Sequence, residues 1–159
     1  MGNAVNEQLN LELASAYVYL AMSAHFESAG LPGFARWMRL QSQEELGHAM
    51  RFFEFLNDRG GRVDLKAIEA PPSDFRSPLD VFEQALEHEK RVTGSINRLY
   101  DLAVKEGDHA AQPLLLSFIS EQIEEEKTAG QIVDQLGMVG DGMAGILVLD
   151  HHLGKRGES

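Results

Sequence analysis

Glu45 and His48 stand three residues apart in the run Ser42–Met50, a spacing that makes them neighbours on one face of a helix. That face is otherwise apolar, with Met38, Gln41, Phe52 and Phe55 following the same helical period. A carboxylate and an imidazole turned into a core must be paired or hold a metal ion. Taken alone, Glu-x-x-His is a common pattern that most often marks a surface ion pair. Three further stretches change its weight. Glu12 interrupts the stripe of Leu9, Leu13, Ala16 and Tyr19, and Glu89 interrupts that of Phe82, Ala85, Leu86, Val92 and Ile96. Gln122 and Glu125 interrupt that of Leu115, Phe118, Ala129 and Ile132. Each unpaired buried charge costs several kcal/mol, so acids on four apolar stripes require a common partner.

The spacings repeat. Glu12 precedes Glu45 by 33 residues, as Glu89 precedes Gln122, and Gln122 precedes Glu125 by three, as Glu45 precedes His48. A shift of 77 residues lays Glu12 on Glu89, Glu45 on Gln122 and His48 on Glu125. The chain therefore carries a degenerate repeat of two hairpins, and equal spacing puts both half-sites at a similar depth. The donors are oxygen-rich, with one imidazole and no sulfur, a set that favours iron or manganese over structural zinc. Glu45, central in the pattern, is the natural bridge between two ions. Such a pair can supply two electrons to O2 or H2O2, one from each Fe(II).

These residues need long helices to position them. Helical periodicity predicts a first helix over about 4–29, a turn at Leu31–Gly33 and a second helix over about 34–59, stopped by Gly60 and Gly61. Residues 61–77, with Pro71 and Pro72, read as a long crossover. Ser77 and Pro78 open a third helix to about 105, as cap and first helical residue. A fourth is expected from Asp108 to about Leu136, ending at Gly137, with Pro113 moving its start toward Ala111 or bending it. An apolar segment over about 142–153 makes a short fifth helix, which either packs on the same chain or against other subunits. The fold class expected is all-α: one domain over residues 1–159, a four-helix bundle with one long crossover between the second and third helices, plus the short C-terminal fifth helix.

Composition narrows the function. With 25 acidic and 14 basic side chains in 159 residues the formal charge is −11, which argues against non-specific nucleic-acid binding and suits either a protein handling cations or ordinary solubility charge. The chain has no cysteine, so thiol catalysis, disulfides and zinc–thiolate sites are out. The N-terminus lacks the regions of a signal peptide and no apolar run approaches a membrane span. A soluble, cytoplasmic protein is expected.

Asn6–Leu13, Gln43–Glu45 with His48, and Ser120–Lys127 together resemble bacterial non-haem ferritin over nearly the whole chain. The resemblance implies a ferroxidase centre oxidising Fe(II) with O2 or H2O2. Glu12, Glu45 and His48 would hold the first iron, and Glu45 and Glu89 the second, with Gln122 and Glu125 close by. A third iron site would map to Glu44, Glu121, Glu124 and Glu125. Tyr19 matches a tyrosine beside the family's centre that supplies an electron or hydrogen-bonds a ligand; a plain core aromatic is the other reading. The resemblance further implies a hollow shell of 24 subunits storing ferric mineral, with the fifth helix at four-fold contacts. There His151 and His152 either face a pore or are simply exposed. Bacterioferritin has Glu-x-x-His on both hairpins and a haem-ligating Met after the second-helix Glu. Here the second motif is Gln122-x-x-Glu125 and Leu46 follows Glu45, so no haem is expected. Ser117 replaces an aromatic found beside the centre in some relatives. A storage shell with weak oxidation, and a small di-iron peroxidase, are the alternative functions.

Overall fold

A computed structural model describes residues 1–158 of the chain. The helices are α1 (Gly2–Ser28), α2 (Pro32–Asp58), α3 (Pro78–Glu106), α4 (Ala111–Val139) and α5 (Met143–Leu153), and no strand occurs among the described residues. Helices α1 and α2 form one antiparallel hairpin and α3 and α4 the other. Helix α5 lies against α2 and the end of α4. Among the described residues, no helix is long and apolar enough to cross a membrane.

The ends of the helices follow local chemistry. The Ser77 hydroxyl accepts from the Asp80 amide at 3.1 Å, and Pro78 sits where its missing N–H costs nothing. Helix α3 stops at Gly107, whose φ of 66° is the left-handed conformation that favours glycine. Helix α4 takes the later of its two expected starts, Ala111, and corrects the expected end. Asp108 does not begin it but accepts from the Ala111 amide at 3.1 Å, so Pro113 falls in the first turn. The helix then runs through Gly137 and ends at Gly140, which carries the positive φ of 62°. Gly137 keeps helical geometry and has open space around it, so nothing there interrupts the hydrogen-bond ladder.

The crossover is strapped to α1 by two asparagines one turn apart. Asn6 exchanges hydrogen bonds with the Asp64 backbone, at 3.0 Å to its carbonyl and 2.8 Å from its amide. Asn10 donates to the Asp64 carbonyl at 2.9 Å and accepts from the Lys66 amide at 2.9 Å. An irregular segment thereby satisfies backbone groups that no ladder serves.

The core is split in two. One cluster gathers Tyr19, Phe26, Phe34, Trp37, Phe82 and their neighbours. The other gathers Leu9, Phe52, Ile96, Leu115 and Phe118, with Phe52 and Phe118 stacked at 4.4 Å. On every long helix the polar site residue falls between the residues of one cluster and those of the other. Of the two expectations for α5, packing on the same chain is met by one of its faces. Ile146 is buried and Leu149 and Leu153 pack on the first cluster, whereas Met143, Leu147 and Val148 are exposed.

Candidate metal centre

The bundle brings together residues from all four long helices at mid-length. Glu12 and Glu45 are each 1 % exposed, and Glu89 and Gln122 are buried with them. One donor atom from each of Glu12, Glu45 and His48 lies within 4.8 Å of the other two. These three come from α1 and α2, the first half of the repeat.

Hydrogen bonds occupy one oxygen of each acid in that half. Gln8 Nε2 donates to Glu12 Oε1 at 2.7 Å, and Gln41 Nε2 donates to Glu45 Oε1 at 3.2 Å and to Glu125 Oε2 at 2.9 Å. The second oxygens of Glu12 and Glu45 are buried with no hydrogen-bond partner. They and Gln41 Oε1 account for three of the four such atoms among the described side chains. Glu45 Oε2 lies 3.5 Å from His48 Nδ1. Orphaned buried oxygens are rare in folded proteins and mark an absent partner. Two adjacent carboxylate oxygens with an imidazole nitrogen are a fitting donor set for a divalent first-row cation.

The second half is differently made. Tyr19 donates its hydroxyl to Glu89 Oε1, and Gln122 Nε2 donates to Glu89 Oε2 at 3.1 Å and to the Thr93 hydroxyl at 3.2 Å. Both oxygens of Glu89 are thus engaged. A cation there must share or displace one of these donors, whereas one at Glu12 and Glu45 displaces only protons held between the two acids.

Electrostatics follow from crowding. Burial, with the Glu45 charge beside it, raises the Glu12 carboxyl to about 8. Burial, with the Glu89 charge, raises Glu45 to about 8. Glu89 and Glu125 are also raised, by burial first, though Tyr19 and Gln122 hold Glu89 down in part. The Tyr19 phenol is pushed well above its ordinary range by burial and then by Glu89. Metal-free, the site retains protons at neutral pH, and a cation would replace them.

The residues matched to a third site are placed otherwise. Arg51 Nη1 holds both oxygens of Glu121 at 2.8 Å, and Glu121 Oε2 lies 3.1 Å from His48 Nε2. Arg156 Nη2 holds Glu44 at 2.6 Å, and Lys127 lies 3.5 Å from the exposed Glu124. Among the described residues these acids and Glu125 do not form one set of ligand atoms, because each of the three faces a cation of its own. Ser117 accepts from Arg51 Nη2, whose guanidinium lies 3.9 Å above the Phe118 ring. His25 packs edge-on to Phe75 at 5.0 Å, and His88 meets the Ser15 hydroxyl at 2.8 Å. His109, His151 and His152 are exposed.

Sequence reasoning passed over Gln8 and Arg51, and counted Gln41 only as a member of the stripe around Glu45 with no role of its own. The glutamines did carry a signal: they stand four residues before Glu12 and Glu45 and repeat the 33-residue spacing. Arg51 carried none, since an arginine one turn beyond a histidine looks like any solvated cation.

Two antiparallel hairpins joined by one long crossover around inward carboxylates define a known class of helical bundle, the ferritin-like bundles. The family model described as Ferritin-like domain matches residues 2–139, and the chain belongs to that family. It is 45% identical over 154 residues to the bacterial non-heme ferritin of Bacteroides fragilis (strain 638R), covering 97% of this chain and 96% of the relative. Identity to a probable bacterial non-heme ferritin-like protein of Haemophilus influenzae is 37%, over 94% of this chain and 91% of the other. Among solved structures, an open pore ferritin from Archaeoglobus fulgidus superposes with a TM-score of 0.96 at 47% identity, covering 98% and 96% of the two chains.

Proposed function

We propose that the chain is an iron-storage ferritin that oxidises Fe(II) at the centre built on Glu12, Glu45 and His48. The observation that carries this reading is the pair of buried carboxylate oxygens on Glu12 and Glu45 that have no donor, on acids whose ligand atoms lie within 4.8 Å of an imidazole nitrogen. Fe(II) is the substrate. Glu12 and His48 bind the first ion, Glu45 bridges, and Glu89 binds the second with Gln122 and Glu125 beside it. Two Fe(II) each give one electron to O2, which takes up two protons to leave as H2O2; with H2O2 as oxidant the product is water. The protons displaced from Glu12 and Glu45 on binding are available locally. Apolar walls on both sides keep bulk water from the ions. Tyr19 orients Glu89 through its hydroxyl.

Oxygen uptake with limiting Fe(II) tests this. A rapid phase complete at about two irons per subunit is expected, and Glu45→Ala should remove it while slow surface mineralisation continues. An unchanged fast phase in that variant rejects Glu45 as the bridge. One observation favours a second reading, storage with weak oxidation: both oxygens of Glu89 are already engaged. In that case the fast phase is complete nearer one iron per subunit. The exposed apolar side chains of α5, Met143, Leu147 and Val148, support assembly into a closed shell of 24 copies, whose interior would take ferric mineral. A particle of shell size by light scattering separates this reading from a small di-iron peroxidase.

A further inference from the structure

We infer that Gln8 and Gln41 are positioning residues that prepare the first half of the centre, and only that half, for its cation. The inference rests on the metal reading above. Each glutamine stands one helical turn before an acid, Gln8 before Glu12 and Gln41 before Glu45, and each donates Nε2 to that acid's Oε1. Both are buried, at 2 % and 0 % exposed. The donation leaves each acid one committed oxygen and one free oxygen, and the free ones are the orphaned pair. A carboxylate rotating in an apolar pocket would present its lone pairs in many directions. Pinned at one oxygen, it presents the other in a fixed direction, so less orientational entropy is lost when a cation arrives.

Gln8 is itself held. Ser95 donates its hydroxyl to Gln8 Oε1 at 2.6 Å, and the NH2 end of the same amide faces Glu12. The relay thus runs from Ser95 on α3 through Gln8 to Glu12 and ties the two hairpins together at the site. Gln8 and Ser95 also line the floor of a cleft of about 420 Å3 between α1 and α3, with Glu7, Leu11 and Arg98 around it. Gln8 therefore stands between this cleft and Glu12. Gln41 links Glu45 to Glu125 through one nitrogen, so it reaches from the first hairpin to the second.

The other hairpin has no counterpart. The 77-residue shift that superposes the acids lays Gln8 on Ala85 and Gln41 on Phe118. There the acid is gripped at both oxygens by Tyr19 and Gln122 instead. One half of the repeat is ready for a cation, and the other must let go of a donor to take one. The first ion should therefore bind more tightly than the second.

Zn(II) and Co(II) as redox-inert probes on the full metal-free protein test the assignment without iron turnover. Gln8→Met and Gln41→Met keep bulk and remove the donor. Each should weaken the first Zn(II) by about 10- to 100-fold, the range for loss of a group that orients a ligand, and should change the Co(II) absorption band. Leu136→Ala, a buried core truncation three turns beyond Glu125 on α4, should lower the melting temperature and leave the first-ion affinity and the Co(II) band unchanged. Wild-type affinity and band in both glutamine variants, with binding abolished in Glu45→Ala, would overturn the positioning role and leave the metal reading intact. Failure of the unaltered protein to bind Zn(II) would reject the metal reading itself. Should Gln8→Met not fold, Ser95→Ala carries the test, since it alters neither glutamine nor acid. Loss of one neutral hydrogen bond should weaken the first ion by about two- to tenfold, and wild-type affinity there would overturn the relay.

Discussion

Glu89 and Glu12 are the same position of the repeat and meet opposite treatment. Tyr19 and Gln122 close both oxygens of Glu89, whereas one oxygen of Glu12 stays free. Tyr19→Phe frees Glu89 Oε1 and leaves Oε2 with Gln122, the condition in which Glu12 stands. We expect the second Zn(II) to bind about two- to tenfold more tightly in this variant, the worth of one hydrogen bond that need no longer be displaced, with the first unchanged, by two-site titration. An equal change at both ions would reject Tyr19 as a partner of Glu89 alone. The acids themselves were legible in sequence because a charge amid leucines and phenylalanines contradicts its surroundings. Gln8 and Gln41 were harder to see because an amide on an apolar stripe is uncharged and looks tolerable. Arg51 was illegible, since its importance lies in Glu121 and Phe118, residues on another helix.

At the level of elements, the helices were legible wherever an end is written in one residue. Ser77 and Pro78 mark the start of α3, and the serine cap is in place. Ser77→Ala should cost about 1 kcal/mol, measured as a lower urea midpoint with an unchanged slope. Gly107 marks the end of α3 in the same way. The end of α4 was misread because Gly137 and Gly140 are equivalent in sequence, and only a left-handed backbone separates them. Gly33 was legible merely as part of a turn. Its reason is tertiary: a Cβ there would lie 1.7 Å from the Asp150 carbonyl oxygen and 2.5 Å from the carbonyl carbon. Gly33→Ala should therefore push α5 off α2 and be more destabilising than propensity alone would suggest, because the obstacle is backbone and cannot rotate aside. Hydrogen exchange at the α5 amides would show it as lost protection.

The whole molecule should respond to pH with a sign set by its interior. In the folded metal-free chain Glu12 and Glu45 titrate at about 8 instead of 4.5, so the native state keeps protons that the unfolded chain has released. Their contribution is present at low pH and is lost as pH rises through about 8. His88 works the other way. Burial, with Arg91 nearby, lowers it from 6.5 to about 4, so its contribution is present above 6.5 and is lost as pH falls toward 4. Above pH 6.5 only the acids remain, and the melting temperature of the metal-free protein should fall between about pH 6.5 and 8. Saturating Zn(II), which takes the deprotonated acids, should reverse that slope. A flat profile without metal would show that the two acids are not buried as described. The proposed assembly is tested at this scale: with a shell-sized particle in the unaltered protein, Val148→Glu on the open face of α5 should give smaller species by light scattering while leaving helical content intact.

Asp150 bears on that assembly in a further way. Its carboxylate accepts from the Phe34 amide at 2.8 Å, and its backbone fills the space that Gly33 leaves, so α5 is locked at both side chain and main chain to the start of α2. Because the lock lies wholly within one chain, the angle at which Leu147 and Val148 stand out is set when the protomer folds. Neighbouring copies would meet a finished template rather than a loose tail. The curvature of any closed particle would then be encoded in a contact made within each protomer, and a change at Asp150 would alter the geometry of the assembly before it altered its affinity.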